Sequence, residues 1–203
     1  MNFTINGAYR NNNNLLGIHS SQLAQNYTAE FEEMFTDDRF GPGSPANTPN
    51  ALLWAEDTLL ETYFSPDDGV ATRLLDLVGS AESSVHFMAY SFTSDDLAQV
   101  LIERAGAGVE VRGILEESQA RSNTGGEYEN LRQSGVDVRL GGQSGNMHHK
   151  VLIIDGRIVV AGSYNFSQSA ETRNDENVLV IHNPEIATQY LAEFERLYAA
   201  ASE

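Results

Sequence analysis

His148, Lys150 and Asp155 stand in the pattern H-x-K-x4-D, and seven residues past Asp155 the run Gly162-Ser163-Tyr164-Asn165 gives G-S-x-N. On an extended strand side chains alternate, so His148 and Lys150 share a face and His149 turns to the other. A neutral imidazole is a competent nucleophile near neutral pH, and a second imidazole can protonate a leaving oxygen. Lys150 brings a positive charge for phosphoryl oxygens, Asn165 adds a neutral amide donor, and Ser163 either donates as well or holds its neighbours. Glu176, at the start of a later strand, is placed to orient His148 by accepting from its other ring nitrogen, as a triad carboxylate does. These groups suit a phosphodiester cleaved in two displacements through a covalent intermediate. Because they carry the charge stabilisation themselves, the scheme calls for no metal and no cofactor.

Other polar residues read differently. Asp155 either supports the site or shapes the Asp155-Gly156 turn, with even weight on the two readings. His149 reads as structural, and His148 with His149 makes no zinc site, because adjacent strand residues diverge and no Cys or third His follows at ligand spacing. His86 lies in an apolar strand and packs there, and His19 and His182 sit at strand ends as structural residues. Arg173, near Glu176, suits either a phosphate or a pairing with acids.

The elements that must hold these residues follow from periodicity. Leu15–Ile18 reads as a strand, and residues 20–36 as a helix with Leu23, Tyr27, Phe31 and Met34 on one face. A Pro- and Gly-rich run from Asp37 to about Asn50 marks a loop, and 37–58 is taken as a linker. Beyond it strands alternate with helices. Leu59–Phe64, Val85–Phe92, Val109–Leu115, Val136–Leu140, Val151–Ile154, Ile158–Ala161 and Val178–Ile181 read as strands. Helices are expected after Ser65-Pro66-Asp67-Asp68, from Thr93-Ser94-Asp95-Asp96 to about Ala107, over Gly126–Ser134 and over Pro184–Ala200. The fold class is therefore α/β, a mixed sheet sandwiched between helices over 59–203.

The chain also repeats itself. Shifted by 163 residues, 2–35 aligns without gaps on 165–198, with identities that include Asn2/Asn165, Phe3/Phe166, Arg10/Arg173, Asn14/Asn177, His19/His182, Tyr27/Tyr190 and Phe31/Phe194. Residues 1–36 thus read as the strand–helix remnant of a first repeat. Met1 matches Tyr164, inside the G-S-x-N turn of the second copy, so the chain is expected to be the C-terminal part of a longer two-repeat protein. The copies differ in one telling place, because Asn13 stands where the second has Glu176. An amide can accept a hydrogen bond but cannot stabilise an imidazolium as a carboxylate does.

The motif, covering about 143–169, resembles the HKD signature of the phospholipase D superfamily, and the FSPDDG and AYSFTSDDLAQVL segments resemble that family's domain. The resemblance implies a phosphohistidine intermediate and two His-Lys pairs meeting at a pseudo-two-fold axis. One pair is present here. The other is expected from an upstream repeat or from the mate in a homodimer, and without it the fragment is expected to be poorly soluble or nearly inactive.

Composition narrows the partners. With 41% apolar residues the chain is an ordinary globular one, and the absence of Cys excludes disulfide and thiol chemistry. No stretch approaches 18 consecutive apolar residues and the first residues are polar, so the chain reads as soluble with no visible address. Twelve Lys and Arg against 29 Asp and Glu give a net charge of −17, and Lys150 is the one lysine. That balance disfavours a polyanion held through backbone phosphates, and no basic amphipathic helix is visible for docking to anionic membranes. Three functions are therefore ranked: hydrolysis or transfer of a phosphatidyl head group, then nuclease activity, then a non-catalytic interaction module. Intact His148, Lys150, Asn165 and Glu176 argue against the last.

Overall fold

The computed structural model describes residues 2–142 and 145–202. Met1, Glu203 and the first two residues of the expected motif region, Gln143 and Ser144, lie outside the described residues. Eight strands form one mixed sheet: β1 (Leu52–Ala55), β2 (Thr58–Ser65), β3 (Ser84–Ala89), β4 (Glu110–Glu116), β5 (Asp137–Gly141), β6 (Lys150–Ile154), β7 (Ile158–Gly162) and β8 (Glu176–His182). Their order is β1-β2-β8-β7-β6-β3-β4-β5. β3, β4 and β5 run parallel, and every other neighbour pairs antiparallel.

Alternation divides the sheet's side chains between two cores. On one face Val85, Phe87, Leu152 and Val180 meet α3 (Val70–Gly79), α4 (Asp95–Gly106) and α6 (Tyr128–Gln133) through Leu74, Leu101 and Leu131. On the other, Met88, Ile153, Val159 and Ile181 meet α8 (Pro184–Ala200) and α2 (Ser21–Phe35) through Phe194, Tyr190 and Leu23. β6 is buried along its whole length because neighbours flank it and helices cover both faces. Each such aliphatic side chain contributes about 1.5–3 kcal/mol. The helices begin where caps allow: Ser20, Ser94 and Asn183 accept from backbone N–H groups of their first turns, and Pro184 occupies the first helical position of α8.

Four short elements escaped the periodicity: β1, α1 (Ile5–Tyr9), α5 (Glu117–Ser122) and α7 (Gln168–Thr172). β1 falls inside the stretch expected to be linker and forms a hairpin with β2. The expected strand at Leu15–Ile18 is a correction. Leu16 and Ile18 turn inward and Leu15 and Gly17 outward, as a strand requires, yet no ladder partner lies beside the run among the described residues. Its only regular pairing is upstream, where Asn12 bridges Met147 in parallel.

The repeat is present in three dimensions. α1 and α7 occupy equivalent positions, Ile5–Tyr9 and Gln168–Thr172, and Thr4 and Ser167 cap them identically, accepting from Gly7 N and Ala170 N. The copies also exchange hydrogen bonds reciprocally. Asn14 Nδ2 donates to Tyr190 Oη at 2.9 Å, and Tyr27 Oη donates to Asn177 Oδ1 at 3.2 Å. Positions 14 and 177, and 27 and 190, are repeat mates, so the two segments meet about a pseudo-two-fold axis.

Candidate active site

One end of the sheet gathers the chemistry. Antiparallel pairing brings the start of β6 (Lys150), the end of β7 (Gly162) and the start of β8 (Glu176) to the same edge. The end of β3 joins them, Ala89 lying opposite Lys150. The first-copy segment closes the other side. An open cleft of about 760 Å³ lies between them, and His148, Lys150, Ser163, Asn165 and Glu176 all line it.

Two backbone features hold this edge together. His148 N donates to Asn12 O at 3.0 Å and Asn12 N to Asn146 O at 2.9 Å, which fastens the first copy to the motif. A Cβ on Gly145 would lie 2.0 Å from Arg10 O, so that approach requires glycine. Ahead of the histidine, the buried carboxylate of Glu116 accepts from Met147 N at 2.7 Å and Ser118 Oγ at 2.9 Å. Sequence reasoning passed over Glu116, which ends an apolar strand and carries no motif signal.

Lys150 is 9% exposed. Its Nζ donates to His148 O at 3.0 Å and lies 3.4 Å from His148 Nε2 and 3.5 Å from Nδ1. Burial lowers its pKa to about 8, with the Glu176 charge acting the other way. Burial and the neighbouring Lys150 ammonium lower His148 to about 4, so the ring is neutral at physiological pH. Tyr90 touches both groups: its ring centroid is 4.4 Å from the His148 ring and 4.7 Å from Lys150 Nζ. That cation–π contact stabilises an ammonium otherwise short of partners. The AYSF segment carries part of the family resemblance, but nothing in its spacing marks Tyr90.

Ser163 Oγ accepts from Asn177 N at 3.0 Å and Nδ2 at 3.2 Å, which leaves its own hydrogen free to donate into the cleft. Asn165 Oδ1 is buried without a protein partner among the described residues. Glu176 is not the group that orients His148. Its Oε1 accepts from Asn174 Nδ2 at 3.1 Å, while His148 Nδ1 faces Asn13 Oδ1 at 3.3 Å. The acceptor comes from the other copy, an arrangement that spacing within one copy cannot reveal.

Asp155 lies apart from these groups. It sits at the far end of β6, about 17 Å of strand from Lys150. Its carboxylate accepts from the N–H groups of Glu82, Ser83 and Ser84 and from Ser83 Oγ, tying the β6–β7 turn to the start of β3. These bonds outweigh burial and hold its pKa at about 2. Of the two readings of Asp155, these contacts are those of the turn. Arg173 is exposed and does not line the cleft. His149 is structural as expected: it is buried, Nδ1 faces Asn14 Oδ1 at 3.1 Å, and burial lowers its pKa to about 4. Among the described residues no three His, Asp or Glu side chains converge on a metal-binding geometry. Among the described residues no helix is long and apolar enough to cross a membrane.

A mixed sheet between helices, with a buried His-Lys pair and a G-S-x-N turn at one end, defines a phospholipase D-like domain, and the chain belongs to the phospholipase D superfamily. The family model described as "Cardiolipin synthase, PLD-like domain" matches residues 74–198. A mitochondrial cardiolipin hydrolase of Chlamydomonas reinhardtii is 36% identical over 127 residues, 63% of this chain and 56% of that protein. A phospholipase D of Rickettsia prowazekii is 35% identical over 132 residues, 65% of this chain and 64% of that protein. The chain therefore spans less than two thirds of these relatives' length. Among solved structures, the phospholipase D family member Nuc of Salmonella typhimurium superposes with a TM-score of 0.67 at 29% identity, covering 71% of this chain and 97% of that one.

Proposed function

We propose that this chain carries one half of a phosphodiesterase site that works through a phosphohistidine. The observation that carries the reading is a nearly buried ammonium, Lys150, beside a neutral imidazole, His148, in a cleft also lined by Ser163 and Asn165. In the first displacement His148 Nε2 forms a bond to phosphorus, and the bond from phosphorus to the leaving oxygen breaks. That oxygen takes its proton from a second imidazole on the opposing half. In the second displacement this imidazole accepts a proton from water or an alcohol, whose oxygen attacks phosphorus and releases His148. Lys150, Ser163 and Asn165 supply the donors for the phosphoryl oxygens.

A second half is supported by the surface of the first copy. Phe3, Leu15 and Phe31 are 96%, 76% and 55% exposed, whereas their repeat mates Phe166, Val178 and Phe194 are core residues at 2%, 2% and 0%. A face patterned like a core calls for a sheet to cover it. An upstream repeat or a second copy of the chain would supply both that sheet and the missing imidazole, which an upstream repeat would set next to Glu176.

A phospholipid is the favoured substrate. Among the described residues lining the cleft Lys150 is the one cation, and Leu15, Leu16, Ile18, Leu23 and Leu179 form an apolar wall. A nucleic-acid strand needs a basic track, while a lipid diester needs one phosphate site beside apolar surface. The names of the similar phospholipase D and cardiolipin hydrolase agree with that choice.

The test is turnover of phosphatidylcholine, cardiolipin, single-stranded DNA and bis(p-nitrophenyl) phosphate in EDTA, with the second half present, followed by acid quench. Lipid turnover abolished by His148→Ala, with labelled phosphorus on the peptide bearing His148, is expected; label on the opposing histidine would reverse the two roles. Cleavage of DNA alone would assign the nuclease activity instead. No turnover of any diester would overturn the reading.

A further inference from the structure

We infer that Asn13 is the positioning residue that locks His148 as the Nδ1–H tautomer and so fixes it as the attacking imidazole, leaving proton delivery to the histidine that faces Glu176. The inference deepens the proposed phosphodiesterase reading and, in its assignment of roles, rests on it.

The amide of Asn13 has only one usable orientation. Its Nδ2 donates to Gly7 O at 2.7 Å, and a carbonyl oxygen can only accept. Its Oδ1 therefore turns to His148 Nδ1, at 3.3 Å. An amide oxygen can only accept as well, so the ring must carry its hydrogen on Nδ1. Lys150 Nζ lies 3.4 Å from Nε2 and 3.5 Å from Nδ1, beside the ring and in line with neither nitrogen, so it adds charge without choosing between tautomers. The Asn13 acceptor alone selects the tautomer, and it leaves the Nε2 lone pair available to phosphorus.

The amide also decides which histidine attacks. A carboxylate in place of Asn13 would favour an imidazolium, a cation with no lone pair to offer phosphorus. Asn13 orients the ring without adding charge, and His148 stays neutral beside Lys150. At the repeat-related position the second copy has Glu176, whose carboxylate suits an imidazole that must hold a proton and release it to the leaving oxygen. The sequence difference between the copies thus becomes a division of labour. Asn14 repeats the placement one residue on: its Nδ2 meets Tyr190 Oη at 2.9 Å and its Oδ1 lies 3.1 Å from His149 Nδ1. Consecutive asparagines of one copy hold consecutive histidines of the other.

Two measurements test this: the tautomer is read on the full chain, and the kinetics on the full chain with the second half present. Nitrogen-15 NMR of the imidazoles reads the tautomer without any turnover, and a protonated Nδ1 with a bare Nε2 is expected at His148. Asn13→Leu, which removes the acceptor, should abolish that signature and lower kcat about 10-fold or more with little change in KM. Asn13→Asp keeps the acceptor and adds charge. It should retain turnover at high pH and move the acid limb of kcat/KM upward by about one pH unit or more, as an added carboxylate raises the imidazole pKa. A residue that merely braced the fold would not move that limb. An Nε2–H tautomer in the wild type, or an Asn13→Asp profile superimposable on it, would overturn the inference while leaving phosphodiester turnover intact. The Nδ1–H signature in a protein that cleaves no diester would instead sink the proposed function and, with it, the assignment of roles.

Discussion

At the residue scale the site depends on one buried ammonium whose charge is conditional. With its pKa near 8 in the empty cleft, Lys150 begins to lose its proton just above physiological pH. Phosphate binding should therefore weaken as pH rises through about 8, which calorimetry with inorganic phosphate at pH 6.5 and 9.5 would check. Lys150→Met should remove that dependence and cost about 10²–10³ in kcat/KM, the usual scale for one transition-state donor. Asp155→Ala should behave in the opposite way. It removes the acceptor for three backbone N–H groups at the far end of β6, so about 1–3 kcal/mol of stability should be lost while KM and kcat stay near wild type. Urea unfolding and steady-state kinetics on the same preparation separate the two. His148, Lys150, Ser163 and Asn165 were legible in the sequence because motif spacing is local, and alternation then fixes the shared face. Asn13 as partner of His148 was not, since it lies 135 residues away and the pairing exists only after the two copies meet. Glu116 and Tyr90 escaped for a related reason: each acts through tertiary contacts that no periodicity encodes.

At the element scale, what was legible divides by length and by neighbours. The long amphipathic helices α2, α4 and α8 and the apolar strands β6, β7 and β8 announced themselves, because a buried stripe of ten or more residues, or a continuous apolar run, leaves few alternatives. The short helices α1, α5 and α7 carried too few turns to show a period, whereas α6, no longer than α5, falls inside the helix expected over Gly126–Ser134. Leu15–Ile18 shows the limit from the other side: the pattern of a strand was there, but a ladder needs a neighbour. The same segment, through Asn12, is held against the motif loop by backbone bonds that rely on Gly145. Gly145→Ala would place a methyl group on Arg10 O and, at φ near +150°, strain the backbone as well. Displacing this contact should loosen Asn13 from His148. Turnover is expected to fall several-fold more than the modest loss of thermal stability would explain. Equal losses in both would mean that the loop contributes to folding alone.

At the scale of the whole molecule, 29 acidic residues against 12 basic ones make the cost of unpaired carboxylates visible. Glu30 on α2 is buried facing Asp67, Glu33, Asp175 and Asp68, and burial followed by these like charges raises its pKa to about 7. Asp67 rises to about 6 by burial, with Asp68 among the acids adding to the rise. Both bring together the first-copy helix, the loop before α3 and the start of β8. A folded state that keeps these protons longer than the unfolded chain loses stability as pH rises from about 4.5 through about 7. His148 and His149, held near 4, have the opposite sign: the unfolded chain takes up protons below about 6.5, so stability is lost as pH falls from there toward 4. The two effects oppose each other between about 4.5 and 6.5, and above pH 7 the histidine effect is spent while the carboxylate penalty persists. Glu30→Gln should therefore stabilise the protein at pH 8 by about 1 kcal/mol, or ~2–4 °C in Tm, a figure discounted because the facing Asp67 and Asp68 are only half-buried. At pH 5 the same substitution should change little, because Glu30 is already protonated in the folded state. Thermal melts of both proteins at the two pH values decide the matter: an equal gain at pH 5 and pH 8 would show that the substitution acts through packing, and that like-charge repulsion does not hold the helix of the first copy away from the second.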